Sequence, residues 1–268
     1  MTRPGLPYAV PYSVRKRWMM SSATDGVSDP IRLLRLLWDP DRPVGRSGLS
    51  LSAIVDAGRA IARVDGAAAV TIRRVATALN AAPMSLYSHV PGKAELLALM
   101  VDAHAGDLYV DGNLPAAQDD WRSAALFVAE RNYDAAVAEP WTLDIPADRL
   151  VPGPGATAKY EAELAAFDGI GLTDVQMDHA LAGLLGLASA MARNQVGLER
   201  ARAASFRDDN QWWQQVSPAL AEAMRGREFP LASRVGTAAA VAADAAADPR
   251  AALVYTAELL LDGLDRTR

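Results

Sequence analysis

Apolar residues recur along most of the chain every three or four positions, the spacing of one face of an α-helix, and nowhere alternate as in a half-buried strand. The pattern predicts an all-α protein of about nine or ten helices. Ser50 is placed to cap a helix whose stripe is Ile54, Val55, Ile61 and Ala62 and which ends at Gly66. Thr71 caps a short second helix with Ile72, Val75, Ala76 and Leu79 at i, i+3, i+4 and i+7. Asn80-Ala81-Ala82 interrupts it, asparagine tolerating the left-handed backbone of a sharp turn. A third short segment, Pro83–Val90, opens on a proline suited to a first helical turn and closes at Pro91-Gly92. A fourth helix begins near Lys93 and runs through Leu96, Leu97, Met100 and Val101 toward Tyr109.

Residues 1–48 hold six prolines and no sustained period, which predicts a partly disordered extension. The exception is Ile31–Trp38, where Ile31, Leu34 and Trp38 share a helical face. Met19-Met20 offers a second start, which would leave residues 1–18 as an upstream extension. Farther on, helices are expected from Asp120 to about Ala138, over Ala156–Phe167, and from a Thr173–Gln176 capping box to about Arg202. Glu139–Gly155 is loop-like and Gly169-Ile170-Gly171 is a break. Further helices fall around Trp212–Met224 and Val235–Ala247, and a last one starts at Asp248-Pro249. The long helix from Thr173 is apolar on most sides, which places it among several neighbours. Three parts follow: 1–48 as an extension with a basic arm, 49–96 as a helix-turn-helix, and 97–268 as a larger helical bundle.

The net charge of −5 hides an uneven distribution. Residues 1–93 carry 13 Lys or Arg against 6 Asp or Glu; the remainder carries 14 against 26. A basic third joined to an acidic remainder suits a polyanion partner for the first part only. With no cysteine, disulfides, thiolate metal sites and cysteine nucleophiles drop out together. The longest uncharged, proline-free apolar stretch, Ala180 to Ala192, is 13 residues, short of the roughly 20 needed to span a bilayer. No apolar segment follows Arg15, Lys16 and Arg17 as a signal peptide requires. A cytoplasmic protein with no membrane partner is expected.

Two short helices joined by a tight turn, with a capped helix before and another after, describe a helix-turn-helix. In Pro83–Val90, Leu86 and Val90 face inward, leaving Ser85, Ser88 and His89 outward and Tyr87 at the margin. Arg73 lies near the start of the preceding helix, and Lys93 adds a cation beside backbone amides that favour phosphate. Catalytic and metal signatures are missing. His89, His104 and His179 are too dispersed for a metal site, Gly92-Lys93 lacks the rest of a P-loop, and Gly169-Ile170-Gly171 follows no strand. No cofactor, metal or enzymatic activity is expected.

The run Thr71-Ile72-Arg73-Arg74-Val75-Ala76 … Met84-Ser85-Leu86-Tyr87-Ser88-His89-Val90-Pro91-Gly92-Lys93-Ala94-Glu95-Leu96-Leu97 resembles the DNA-binding domain of the tetracycline-repressor (TetR) family. The specific part is Leu-Tyr-x-His-Val followed by Lys-x-Glu-Leu-Leu. Pro140-Trp141-Thr142, the Gly153-Pro154-Gly155 loop and the Leu260-Leu261-Asp262-Gly263 ending are similar to actinobacterial-type members. The resemblance implies a homodimeric, ligand-responsive regulator, usually a repressor, on double-stranded operator DNA. It puts Ser85, Tyr87 and His89 on the recognition helix against DNA, Thr71 and Arg73 on the preceding helix, and Lys93 on a phosphate. Asn80 departs from the family's usual glycine, and Pro83 removes a donor where the family often has a polar residue.

A small, largely apolar effector is expected between the fourth helix and the helices at 120–138, 156–170 and 173–202. The candidate lining is Met100, His104, Trp121, Phe127, Asn132, Tyr160, Met177, Met191 and Asn194: apolar walls with a few polar groups. Core packing is the competing reading for most of these, as it is for Trp212-Trp213. The long helix and the last one are expected to form a four-helix interface between two copies, with Leu185 and Leu261 as test positions. Two alternatives stand: a helical enzyme or small-molecule carrier with an incidental helix-turn-helix, and a regulator that no longer senses a ligand.

Overall fold

The computed structural model describes residues 29–39, 49–145, 151–205 and 207–266, and among these the chain forms eleven α-helices and no strand. Residues 1–28 and 40–48, with the alternative start at Met19-Met20 and the basic arm, lie outside the described residues. The helices are α1 (Pro30–Trp38), α2 (Leu51–Asp65), α3 (Ile72–Ala78), α4 (Pro83–Tyr87), α5 (Lys93–Asp107), α6 (Trp121–Ala138), α7 (Pro154–Leu164), α8 (Asp174–Ser205), α9 (Asp209–Met224), α10 (Pro230–Ala243) and α11 (Pro249–Asp265). Short 3-10 turns fill Ala67–Ala69, Pro115–Ala117 and Pro140–Asp144, the last inside a stretch expected to be loop.

Local chemistry sets many of the helix starts. Ser50 Oγ accepts from Ala53 N at 3.1 Å, and Thr71 Oγ1 from Arg74 N at 3.2 Å. Asp120 and Asp248 do the same for Ser123 N and Ala251 N. Thr173 and Gln176 exchange hydrogen bonds as a capping box before α8. Each such cap is worth about 1 kcal/mol against alanine.

Two hydrophobic clusters organise the chain. The first gathers Leu33 and Leu37 of α1, Ile54 and Val55 of α2, Val75 of α3, Leu86 of α4 and Leu96, Leu99 and Met100 of α5. Trp141, from the turn after α6, inserts into this same cluster. The second is built from α6, α8 and α11 around Val128, Leu181, Leu184, Leu253 and Leu261, with Phe167 at its edge. On α8 the buried residues Leu181, Leu184, Ala188, Ala192 and Val196 make one stripe.

Three expectations need correction. Helix α1 buries Leu33 and Leu37, whereas Ile31, Leu34 and Trp38 are exposed. The segment is apolar on two faces, and its contact with α5 selects the face; Trp38 instead donates its indole N–H to the Pro152 carbonyl at 3.0 Å. Trp212 and Trp213 are 46% and 51% exposed, not core, because neither α9 nor α10 buries a side chain. Leu261 belongs to the subunit's own core, so a charge there tests folding rather than assembly.

Helix α5 packs closely on α7. Asp102 of α5 is buried and reaches across to the start of α7, where its carboxylate accepts from Ala156 N at 2.8 Å and Gly155 N at 3.2 Å. Orphan amides of a helix start are thereby satisfied from a neighbouring helix rather than from α7's own cap, Gly153. Glycine permits the approach. A Cβ on Gly155 would overlap the Asp102 carbonyl oxygen and stand 2.9 Å from Gly106 N. Gly155→Ala is therefore expected to cost about 1–3 kcal/mol, as overpacking does, and to lower the thermal midpoint. Gly236→Ala, on an α10 position with open space around it, should raise that midpoint through about 0.5–1 kcal/mol of backbone entropy.

Candidate nucleic-acid interface

Helices α3 and α4 are the two members of the helix-turn-helix. Helix α3 buries Ile72, Val75 and Ala76 and leaves Arg73 and Arg74 exposed. At the turn Asn80 takes φ of 50°, in the left-handed region, so asparagine here does what glycine does elsewhere. Ala81 N donates to Ala76 O at 2.9 Å, which closes the end of α3. Helix α4 spans five residues and ends at Tyr87, shorter than the expected Pro83–Val90. Leu86 and Val90 are fully buried, as the spacing requires.

The polar candidates separate once their partners are known. Arg73 is exposed and has no ion-pair partner among the described residues, whereas Arg74 is paired with Asp65. Thr71 spends its hydroxyl on the α3 cap. Ser85 is half-buried, and Ser88 donates its hydroxyl proton to the Ser85 carbonyl at 2.6 Å. Tyr87 is exposed. Lys93, half-buried, donates from Nζ to the Ala68 carbonyl at 2.8 Å, which stitches α5 to the turn after α2.

His89 is not on the outward face. It is 5% exposed, and its Nε2 has no hydrogen-bond partner among the described residues. The reason is helical spacing: His89 follows Leu86 by three positions and so shares its side, and the chain has already turned at Ser88. Helical spacing did not single out Met84. It is 77% exposed, the most exposed large apolar side chain of α4.

The effector candidates also divide. Met100 is fully buried in the first cluster, its Sδ only 2.8 Å from where a Cβ on Gly58 would stand, so it lines no chamber of the regulatory bundle. The inner stripe of α5 packs there on α2. Asn194 is exposed on α8 and does not face the interior. Trp121, Tyr160, Met177 and Met191 are partly buried against the second cluster. Tyr160 donates to Asp178 at 2.8 Å, and the Arg122 guanidinium lies 5.5 Å from the Trp121 ring. Phe127 sits beside Tyr109 with ring centres 6.4 Å apart.

Asn132 leads to a polar centre that the periodicity did not suggest. Its amide donates at 2.6 Å to Glu163 Oε1, which also accepts from Tyr109 at 3.0 Å, while Lys159 holds Oε2 at 2.6 Å. Glu163 is fully buried. Burial and the adjacent Glu163 carboxylate push the Tyr109 phenol well above its usual range, so it stays a donor. In sequence, Lys159 and Glu163 read as an ordinary solvated pair four apart on α7; only packing makes them interior. A separate cleft of about 700 Å³ lies elsewhere, between Arg63–Ala68, Lys93, the Pro140–Ile145 turn and Arg200, and does not include this centre.

Between the two clusters, ion pairs fasten α2 to the bundle. Arg59 reaches Asp107 at 2.6 Å, and Arg63 reaches Glu139 at 2.5 Å. The other oxygen of Glu139 accepts the Trp141 indole N–H at 2.5 Å. His104 packs edge-on to Trp141 with ring centres 5.9 Å apart. Burial first, then the Arg59 guanidinium, lowers its pKa, with Glu139 and Asp107 opposing. An imidazole that is harder to protonate when folded adds stability above its unfolded pKa of 6.5 and gives it up as pH falls through that value. Melting temperature should therefore drop between pH 7.5 and 5.5. The drop should be smaller in His104→Gln, with thermal unfolding across that range as the measurement.

Residues 114–268 match the family described as "Tetracyclin repressor-like, C-terminal domain". The HTH-type transcriptional repressor DrrR1 of Streptomyces coeruleorubidus is 32% identical over 216 residues, covering 79% of this chain and 78% of that one. Among solved structures, the TetR regulator SCO7222 of Streptomyces coelicolor has a TM-score of 0.59 at 25% identity, covering 81% of this chain and 98% of its own. The S. coelicolor TetR family protein ActR, solved in complex with actinorhodin, has a TM-score of 0.62 at 20% identity over 81% of this chain and 96% of its own, a likeness of fold.

Proposed function

The chain belongs to the TetR family of transcriptional regulators, and from that premise we propose that it is a dimeric repressor released from a palindromic operator by a small, largely apolar effector. The family is one of regulators rather than enzymes. The observation that carries the reading is the α3–α4 pair, whose outward side presents Arg73, Met84 and Tyr87 while Leu86 and Val90 anchor it to the first cluster. Helix α4 enters a major groove, Arg73 reaches from α3, and Lys93 exchanges the Ala68 carbonyl for a phosphate. Thr71, Ser85 and Ser88 sit at the margin of this contact, and His89 supports it from beneath. A protein acting on operator DNA works in the cytoplasm, and no helix among the described residues is long and apolar enough to cross a membrane.

Two subunits are needed to span two half-sites roughly 34–36 Å apart. Supporting a dimer, α8 turns Ala182, Gly183, Gly186, Ser189 and Ala190 outward, and α11 exposes Tyr255 and Leu259 on the side away from Leu253 and Leu261. Small residues on one helix and large apolar ones on the other suit close packing across a two-fold axis. The effector then binds beside the Tyr109, Asn132, Lys159 and Glu163 centre, between the aromatic walls of Trp121, Phe127 and Tyr160. Met177 and Met191 of α8 close it and His104 borders it. ActR's complex with actinorhodin supports a ligand in a bundle of this fold. Moving the dimer from mostly DNA-competent to mostly incompetent requires about 5 kcal/mol of differential affinity.

Two measurements test this. In fluorescence anisotropy against duplexes selected from a random pool, Arg73→Ala and Tyr87→Ala should each weaken binding by about 1–3 kcal/mol, and Lys93→Ala should reduce the salt slope by about one. Unchanged affinity in all three would remove α3–α4 as the DNA surface. In sedimentation, Leu259→Glu should convert the dimer to a folded 28.5 kDa monomer; a wild type that is already monomeric at micromolar concentration rejects the dimer.

A further inference from the structure

Helix α4 is unusual in what it lacks. From Ala81 to Val90 the chain holds no Arg, Lys, Asn, Gln, Asp or Glu. Those are the side chains that make the paired hydrogen bonds by which guanine, adenine and cytosine are told apart in the major groove. Hydroxyls remain, but Ser88 has committed its proton to the Ser85 carbonyl and Ser85 is half-buried. The imidazole of His89 is buried.

Geometry then singles out one residue. At about 100° per residue, a side chain two positions before Leu86 points nearly opposite to it. Leu86 is fully buried, and the residue opposite it is Met84, 77% exposed. Ser88 shares that bearing, with its hydroxyl turned back onto the helix. The centre of the outward face is thus a flexible thioether, flanked by the exposed Tyr87 ring.

Resting on the DNA-binding reading above, we propose that Met84 is the specificity-determining side chain of α4, and that it reads the C5-methyl group of a thymine. Apolar contact with that methyl is the major-groove signal an apolar side chain can use, and it separates T·A from the other pairs without a hydrogen bond. A long unbranched side chain adapts to the methyl's position, which suits a helix only five residues long. Arg73, from α3, supplies an exposed guanidinium with no ion-pair partner among the described residues, available to anchor the register or read a neighbouring base.

The test removes one methyl group from each half-site. The full-length protein is used to select duplexes from a random pool, and each thymine of the bound half-site is replaced symmetrically by deoxyuridine. At one thymine per half-site the wild-type dimer should lose about fifteenfold in affinity, the equivalent of two buried methyls. Met84→Ala should bind the thymine duplex about as weakly as the wild type binds the uridine one and should no longer distinguish the two. Met84→Leu, which keeps an apolar tip, should still distinguish them. If the protein selects a duplex yet is indifferent to uridine at every thymine, or if Met84→Ala remains equally sensitive, the assignment of Met84 is overturned while DNA binding stands. If no duplex is selected at all, the DNA-binding reading falls and takes this inference with it.

Discussion

Helix α5 has to serve two cores with fifteen residues, and most of the architecture follows from how it does so. Leu96, Leu99 and Met100 belong to the cluster that holds the helix-turn-helix. Asp102, one turn farther along, is committed to the amides that open α7. Tyr109, just past the helix end, donates into the buried Glu163 centre. One element is therefore hydrophobically fixed at one end and polar-bonded at the other. A shift of α7 cannot leave α5 behind, because the Asp102 contact and the Gly106–Gly155 approach leave no slack. Packed interiors respond to such displacement by switching between arrangements rather than deforming smoothly.

The second tie runs through the turn after α6. Exposed ion pairs such as Arg63–Glu139 are individually worth only about 0–1 kcal/mol, so they set register more than they hold the molecule together. Trp141 does the holding. Its ring is buried in the first cluster while its indole N–H is bonded to Glu139, so the apolar body and the polar tip are both satisfied. Through it, the connection between α6 and α7 is physically part of the DNA-side core. Two separate segments of the regulatory half thus grip the helix-turn-helix, one by α5 and one by a tryptophan.

What was legible in the sequence was what depends on near neighbours. Caps at Ser50, Thr71, Asp120 and Asp248, the capping box at Thr173, and the left-handed Asn80 all follow from residues within four positions of one another. So do the buried partners Leu86 and Val90. What escaped depends on which distant surface arrives. Helix α1 has two apolar faces and nothing local chooses between them. Met100 lies on a stripe that fits either core, and Gly58 of α2, about forty residues earlier in the chain, is what claims it. Glu163 looks like a surface residue until Tyr109 and Asn132 converge on it. His89 is the exception, since its spacing from Leu86 already placed it inward, although the expectation set it outward with Ser85 and Ser88.

The segment of α9 and α10 stands apart from these constraints. Neither helix buries a side chain, and the two ends of the segment are tied together where Asp209 accepts a fork from Arg202 at 2.9 and 2.5 Å and a third bond from Ala246 N at 2.8 Å. That fork and the amide hold the Asp209 carboxyl down to about 2, so the knot stays ionised and tied throughout the physiological range. Because the knot closes on itself, everything distal to it is free of obligations to the two cores. Residues there pack against neither core, so the contacts that link α7 to the helix-turn-helix do not depend on them. The molecule thereby carries an appendage whose surface is chemically independent of the contact between α5 and α7.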